Sequence, residues 1–330
     1  MRIALAFGIA FLATALVGKA LVPWLRRLKA GQSIKEDGPT WHMAKQGTPT
    51  MGGIMFIIGI FIAVLLAGWK EMLAGEYGHL FIFLFALIYG AIGFVDDFVK
   101  VHKARNTGLT ASQKFLLQLA AAITFVVLLR KFGYLTPNLY IPFFNVQVSM
   151  NWTLYMVFAA FVIVGTVNAV NITDGVDGLA AGVTLPVSLF YVAAAVLWGY
   201  TVFGVFAAAL AGGLCAFLLY NFHPAKVFMG DTGSLFLGAA VCGLAFSMDM
   251  PLILILVGII YLAETLSDII QIVYFKATHG RRIFRMAPLH HHLEMGGWKE
   301  EKLFFVFSGI TLLFCLAAFY GVMDRFAPFA

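Results

Sequence analysis

Charge and cysteine are both scarce in this sequence. Only 12% of its 330 residues are Asp, Glu, Lys or Arg, and 62% are hydrophobic, whereas charged residues make up about a quarter of an ordinary soluble domain. This composition excludes a soluble globular enzyme, a disordered protein and a fibrous protein. The three cysteines lie in apolar stretches, fit no metal-binding spacing and give no sign of a disulfide framework. We therefore expect an integral membrane protein.

Ten apolar runs predict an all-α membrane fold of about ten transmembrane helices. A helix needs about 20 residues to cross the hydrocarbon core, with a range of about 17 to 25, so several of the runs are short. After the fourth run, the alternation of Asn145–Val148 predicts a short strand or hairpin on the periplasmic or extracellular side. The runs are Ile3–Leu21, Met51–Gly68, Leu80–Val95, Phe115–Leu129, Trp152–Val167, Leu179–Trp198, Tyr200–Tyr220, Leu235–Met248, Pro251–Phe275 and Leu303–Tyr320.

The basic residues predict how these helices are oriented. With an even number of spans and both termini outside, 16 Lys and Arg residues fall on the cytoplasmic side, in residues 26–45, 100–114, 226 and 276–302, and five fall outside. Cytoplasmic loops carry such an excess, so the net charge of +6 is explained without a nucleic-acid partner. We predict one polytopic membrane domain over residues 1–330.

Acidic residues lie where predicted spans end on the cytoplasmic side. Asp96 and Asp97 follow the third span, and adjacent carboxylates repel each other unless a cation or a shared proton relieves them. Mg²⁺ would do so, since it binds carboxylate and phosphate oxygens. Alternatively, one carboxylate is solvated and the other pairs with Lys100.

After the fifth span, polar residues recur at every third position, as Asn168, Asn171, Asp174 and Asp177. Residues three apart are neighbours on a helix, but this row drifts too far around a straight helix for all four to point at one place. Gly175 and Gly178 are predicted to end the helix, and irregular polar backbone at membrane depth is tolerated where it lines a cavity. A tight Asp-Gly turn with local caps is the alternative.

The segment Phe228–Ser234 opens the eighth span. Its glycines would allow a ligand to approach the backbone, and a helix N-terminus suits phosphate. Asp231 would then hold a metal that bridges the phosphate, although an Asp or Ser cap explains the segment as well.

Two further groups lie near the C-terminal end of the chain. Glu264, Asp268 and Gln271 share one face of the ninth span, so they point into the protein or a wet cleft, or else a structural ion pair with Arg or Lys holds them. In the following loop, the consecutive residues His290, His291 and His292 diverge in direction and have no cysteine partner, which argues against tetrahedral zinc. Histidines together with the arginines of the same loop, Arg281, Arg282 and Arg285, favour an anionic ligand such as a diphosphate.

Together these segments resemble a known family. Asp96–Lys100 (DDFVK), Asn168–Ala180 (NAVNITDGVDGLA), Asn221–Ser234 (NFHPAKVFMGDTGS) and Met286–Glu294 (MAPLHHHLE) resemble the polyprenyl-phosphate N-acetylhexosamine-1-phosphate transferase superfamily. The last of them, with Lys45–Gly53 (KQGTPTMGG), resembles the phospho-N-acetylmuramoyl-pentapeptide transferases in particular.

The resemblance implies a reaction and a location. UDP-N-acetylmuramoyl-pentapeptide and undecaprenyl phosphate would give lipid I and UMP, with Mg²⁺, in peptidoglycan synthesis. The active site would face the cytoplasm from the bacterial inner membrane. The resemblance is also compatible with a homodimer.

The resemblance assigns roles to individual residues as well. Asp231 would bind Mg²⁺, and Asp96 would act as a base or as a second metal ligand; an aspartate nucleophile is the alternative. Phe228 would stack on uracil. The other catalytic candidates are Asp97, Asp174, His290 and His291. The other candidates for substrate binding are Lys45, Thr50, Lys100, Lys114, Asn168, Asn171, Asp177, Asn221, Gly230, Gln271 and His292.

Two rival interpretations stay open at this point. A sibling transferase would use UDP-N-acetylglucosamine with the same lipid phosphate, and would differ at Pro288–Glu294 and in its donor. A secondary transporter would use Glu264 and Asp268 for ion coupling, but the sequence lacks the inverted repeats expected of one.

Overall fold

The computed structural model describes residues 1–28, 45, 47–102 and 108–326. Over these residues the chain forms helices and one two-stranded sheet. The helices are α1 (Arg2–Arg27), α2 (Gly53–Ala67), α3 (Trp69–Leu73), α4 (Gly78–His102), α5 (Ala111–Lys131), α6 (Trp152–Thr173), α7 (Leu179–Leu197), α8 (Thr201–Asn221), α9 (Gly230–Ser247), α10 (Leu254–Val257), α11 (Ile259–Ala277), α12 (Leu289–Glu294) and α13 (Glu300–Val322). Turns of 3₁₀ helix at Pro251–Ile253 and Met323–Phe326 precede α10 and follow α13.

Each predicted span coincides with helical structure. In the described part of the chain, eight helices are long and apolar enough to cross a membrane: α1, α4, α5, α6, α7, α8, α9 and α13. The chain is therefore a multi-pass membrane protein. By contrast, α2 has 15 residues, and at 1.5 Å per residue it covers about 22 Å of a hydrocarbon core about 30 Å thick. The number of helices that cross the membrane stays a prediction.

The ninth predicted span requires a correction. One continuous helix over Pro251–Phe275 was expected, but the chain bends by 80° between Val257 and Ile259, so α10 and α11 are separate helices. The break falls at Gly258, whose backbone leaves the helical range at φ −97° and ψ 19°. A hydropathy pattern cannot reveal such a bend, because bending leaves the composition of the run unchanged.

The predicted hairpin is confirmed between α5 and α6. Strands β1 (Asn138–Ile141) and β2 (Val146–Ser149) are antiparallel, with Asn138 opposite Ser149 and Ile141 opposite Val146. In the turn between them, the Phe143 backbone N–H donates to the Gly321 carbonyl at 2.8 Å. The hairpin is thereby attached to the end of α13.

Helix α9 lies at the centre of the bundle. In its apolar stretch 89% of the residues are buried, and the helices that pack on it most extensively are α4 and α6. At Gly93 of α4, an added Cβ would lie 2.1 Å from the Asp231 carbonyl oxygen, so the two backbones can approach this closely only at glycine. This contact brings the turn of α4 after Gly93 against the beginning of α9.

Candidate active site

Three carboxylates meet where α4 reaches the start of α9. Asp96, Asp97 and Asp231 each offer an oxygen, and these oxygens lie within 4.8 Å of one another. The Asp231 side chain is 16% exposed and that of Asp96 only 4%. Two motifs that are far apart in the sequence are thus joined, and Asp231 is more open to a ligand than Asp96.

Asp97 acts as a cap on the neighbouring helix α9. Its Oδ2 accepts hydrogen bonds from the Thr232 backbone N–H at 2.9 Å and the Thr232 hydroxyl at 2.7 Å, and its Oδ1 accepts from the Asp231 backbone N–H at 3.2 Å. The Asp97 side chain can come this close to the start of α9 only because residue 230 is glycine. Gly230 has φ +69°, and a Cβ there would lie 2.5 Å from Asp97 Oδ2. Both oxygens of this catalytic candidate are therefore occupied by backbone and hydroxyl donors of α9.

Two lysines neutralise the other carboxylates. Lys100 Nζ lies 2.6 Å from Asp96 Oδ2 and 3.0 Å from Asp231 Oδ2, and Lys114 Nζ lies 2.7 Å from Asp231 Oδ2. A capping box fixes the beginning of α5 just before Lys114, because the Thr110 hydroxyl accepts from the Gln113 backbone N–H and the Gln113 side chain accepts from the Thr110 N–H. The cluster therefore presents carboxylate oxygens and ammonium groups side by side.

The polar residues that recur after the fifth predicted span do not all point to one place, as expected. Asn171 Nδ2 donates to Asp231 Oδ1 at 2.8 Å, whereas Asn168 Nδ2 donates to Gln118 Oε1 at 2.7 Å, between α6 and α5. Helix α6 ends at Thr173, as the two glycines predict. Just beyond it, burial and the nearby carboxylates of Asp231 and Asp97 raise the pKa of Asp174 well above its usual value.

A second cluster surrounds Asp177. Lys45 Nζ lies 2.7 Å from Asp177 Oδ1 and 2.6 Å from Glu300 Oε2. Asp177 Oδ2 accepts from the Ala225 N–H at 2.9 Å and lies 3.0 Å from His223 Nδ1. Asp177, His223 and Glu300 are close enough to share a metal ion, but the Lys45 ammonium already pairs with both carboxylates and offsets one of their two negative charges.

Backbone pairing joins the Lys45–Gly53 motif to the segment before α9. The Phe228 N–H donates to the Pro49 carbonyl and the Gly52 N–H to the Phe228 carbonyl, both at 2.8 Å. Thr50 lies against Gly230, where a Cβ would be 2.7 Å from its hydroxyl oxygen. Asn221 anchors the other end of the segment, because its side chain accepts from the Gly178 N–H and donates to the Val227 carbonyl.

The three histidines of α12 point to three different partners, as predicted. His290 Nδ1 lies 2.9 Å from Glu264 Oε2, His291 Nδ1 lies 2.7 Å from Glu294 Oε2, and His292 Nδ1 accepts from the Arg285 N–H at 3.1 Å. The partner of Glu264 is thus a histidine and not the Arg or Lys considered from the sequence.

Two contacts attach the segment His279–Glu294, the histidine loop, to the rest of the site. The Gln271 side chain accepts from the Ile283 and Phe284 N–H groups and donates to the Phe284 carbonyl. The His290 ring lies so close to Gly175 that a Cβ there would be 2.3 Å from His290 Nε2. The histidine loop therefore packs on the turn that carries Asp174 and Asp177.

Comparison with known proteins decides the family. Residues 79–249 match the model of glycosyl transferase family 4, and residues 45–57 match signature 1 of the phospho-N-acetylmuramoyl-pentapeptide-transferases. Proteins of that name are 45% identical over 323 residues in Caldanaerobacter subterraneus, 46% over 324 in Desulforamulus reducens and 43% over 321 in Clostridium perfringens. These alignments cover 96–97% of this chain and 96–99% of the relatives. The chain belongs to the phospho-N-acetylmuramoyl-pentapeptide transferase family.

Several residues of this transferase escape notice in the sequence. Glu300 and His223 each hold a predicted site residue in place, and Thr232 completes the cap at Asp97. Glu300 stands at the start of a helix, where an acidic residue is already explained by the helix dipole. His223 lies inside a quoted motif, but its partner Asp177 is 46 residues away.

Proposed function

We propose that this transferase moves phospho-N-acetylmuramoyl-pentapeptide from its UDP carrier to undecaprenyl phosphate, giving lipid I and UMP. The observation that carries the proposal is the pair of ammonium groups on Asp231, beside two further carboxylates. Both substrates bring phosphate to one place, so the site must hold and neutralise several negative charges. The residues of the two clusters would do so at the cytoplasmic face of the bacterial inner membrane.

The carboxylate cluster fits Mg²⁺. Its donors are hard oxygens from three aspartates, the ligand type that this ion prefers, with substrate phosphate completing the coordination. Asp231 and Asp96 would hold the ion, and Asp97 is already occupied as a cap. Bound there, Mg²⁺ would neutralise charge on the transferred phosphate and on the departing UMP.

The reaction itself asks little of a base. An oxygen of the lipid phosphate attacks the sugar-bearing phosphorus, a new P–O bond forms, and the bond to the UMP oxygen breaks. A phosphate monoester has its second pKa at about 6, so the acceptor is largely ionised at neutral pH. Lys100 and Lys114 would hold the phosphates together against their repulsion. Asp96 has two alternative roles: it would be the second metal ligand, or it would position Lys100, because in this structure its two oxygens accept from Lys100 and the Leu109 N–H.

The uridine part of the donor would bind beside Phe228. This side chain is half-buried, and its backbone is fixed by pairing with Pro49 and Gly52. Asn221 and Gly230 lie at the two ends of the same segment, and Lys45 is joined to it through Asp177, which accepts from the Ala225 N–H. The histidine loop would contact the sugar or phosphate.

UMP release by the purified protein in detergent tests the proposal. With undecaprenyl phosphate and Mg²⁺, we expect release from UDP-N-acetylmuramoyl-pentapeptide, none from UDP-N-acetylglucosamine, and loss of activity on adding EDTA. Release from UDP-N-acetylglucosamine alone would show that the protein catalyses the sibling reaction instead. A folded protein that released UMP from neither donor would contradict a transferase and favour the transporter.

Replacing Phe228 with alanine tests the uridine site. Stacking of a base on an aromatic ring contributes about 1–3 kcal/mol, so Phe228→Ala should weaken binding of the UDP donor by about 10- to 100-fold and leave the KM for undecaprenyl phosphate unchanged. The measurement is UDP binding by titration calorimetry, alongside both KM values. Unchanged affinity for UDP would contradict the stacking role.

A further inference from the structure

Glu300 joins three parts of the chain at the second cluster. It is the first residue of α13, and its Oε2 lies 2.6 Å from Lys45 Nζ, 255 residues away in the sequence. The same oxygen accepts the backbone N–H of Asp177 at 3.0 Å. The side chain is 12% exposed, so both contacts are largely shielded from water. Glu300 therefore attaches α13 both to Lys45 and to the turn between α6 and α7.

These contacts fix an ammonium group that would otherwise move freely. A lysine side chain has four rotatable bonds and a compact charge, and here two carboxylates hold its Nζ, at 2.7 Å and 2.6 Å. Asp177 is itself fixed by His223 and by the Ala225 N–H. The position of the Lys45 ammonium group thus depends on two carboxylates: that of Asp177, which is itself fixed, and that of Glu300.

We propose that Glu300 is a positioning residue for the UDP donor, which fixes the Lys45 ammonium against the Asp177 turn before the donor binds. The inference rests on the proposed function, in which Lys45 contacts the donor. Glu300 does not touch the carboxylate cluster where the phosphates would react, so its contribution is made in binding. A side chain fixed in advance loses less conformational entropy when its ligand arrives.

The kinetic test compares two adjacent glutamates. Glu300→Gln keeps the length of the side chain and an oxygen for the Asp177 N–H, but removes the charge that holds Lys45. We expect the KM for the UDP donor to rise about tenfold, the effect of losing one charge-assisted hydrogen bond, with kcat and the KM for undecaprenyl phosphate nearly unchanged. The matched control is Glu301→Gln, because Glu301 is 43% exposed and its nearest described basic atom is His223 Nε2 at 4.0 Å.

Conservative and double variants separate positioning from a general structural role. Glu300→Asp keeps the charge and should restore part of the donor affinity. In a Lys45→Met background, Glu300→Gln should add little to the donor KM, because residues that act as one unit are not additive. Fully additive effects, or equal losses in kcat and in both KM values, would overturn the proposal.

The accessibility of Lys45 gives a readout that does not need turnover. Acylation by an amine-reactive ester, measured at Lys45 by mass spectrometry, should be several-fold faster in Glu300→Gln than in the wild type or in Glu301→Gln. Unchanged labelling of Lys45 would contradict the positioning role even in an active enzyme. If the wild type released no UMP, the proposed function would fail, while faster labelling would still support the contact between Glu300 and Lys45. Should Glu300→Gln not fold, Glu300→Asp gives a weaker test: its carboxylate is one methylene farther back, so the labelling of Lys45 and the donor KM should both rise by less, and no change in either would contradict the proposal.

Discussion

Replacing Asp231 with asparagine is expected to abolish UMP release, with kcat falling by at least about a thousandfold. The substitution keeps the size of the side chain, and the amide oxygen still suits the bond from Asn171. It removes the negative charge that Lys100 and Lys114 share and that Mg²⁺ would require. Removing a charge that orients two cations at a phosphoryl-transfer site affects both metal binding and the alignment of the phosphates.

The control lies near the opposite end of the same helix. Asp249 follows α9 and accepts from the Thr136 hydroxyl at 2.7 Å, far from the carboxylate cluster along the helix axis. Asp249→Asn should therefore keep most of the UMP release, whatever it does to stability. Melting temperature in detergent would verify that Asp231→Asn is folded. Near-normal turnover of Asp231→Asn at saturating Mg²⁺ would refute the metal role.

Replacing Glu264 with alanine is expected to have the second-largest effect. Glu264 and His290 are buried, at 0% and 1% side-chain exposure, and lie 2.9 Å apart. Alanine would leave His290 without this partner inside the protein, at a cost of about 1–3 kcal/mol in the free energy of unfolding. It would also remove one of the two attachments of the histidine loop to α11, leaving Gln271, and would loosen the packing of His290 on the turn at Gly175. A displacement of about 1 Å is enough to reduce turnover about 100-fold.

Glu264→Gln and Asp268→Asn isolate the cause of that loss. Glutamine can keep a hydrogen bond to His290 and should recover part of the stability and activity. Asp268 lies one turn later on α11 and is more exposed, so Asp268→Asn should change the melting temperature less. The measurements are thermal unfolding in detergent and UMP release. If Glu264→Ala were as stable and active as the wild type, the contact between Glu264 and His290 would contribute neither to stability nor to turnover.

The sequence was sufficient for most of the helices because their signals are local. Every apolar run coincides with helical structure. Gly175 and Gly178 marked the end of α6, and the alternation of Asn145–Val148 marked the hairpin. The bend at Gly258 was missed, because it depends on how α10 and α11 pack and not on their composition. The length of α2 was overestimated slightly for a similar reason, since its first predicted residues pair with the segment around Phe228 instead.

The candidate site was predictable as a set of residues but not as an arrangement. Motifs identified Asp96, Asp231 and Lys45, yet nothing local indicates that Asp97 caps α9 or that Asn168 bonds to Gln118. Such assignments depend on which helices become neighbours. Glu300 illustrates the limit most clearly, because its two partners are fixed only when α13 packs beside α7.

The position of α9 has a consequence for how this protein is made. Among the eight long apolar helices described, α9 has the lowest mean hydropathy, 1.2, and the largest buried share, 89%. A segment of such low hydropathy gains little free energy when it moves from the insertion machinery into lipid without a protein partner. We expect it to enter the bilayer only against α4 and α6, which are synthesised earlier. Chains interrupted before α9 would carry Asp97 without the N–H groups that it caps, and would leave α4 and α6 without the helix on which both pack most extensively.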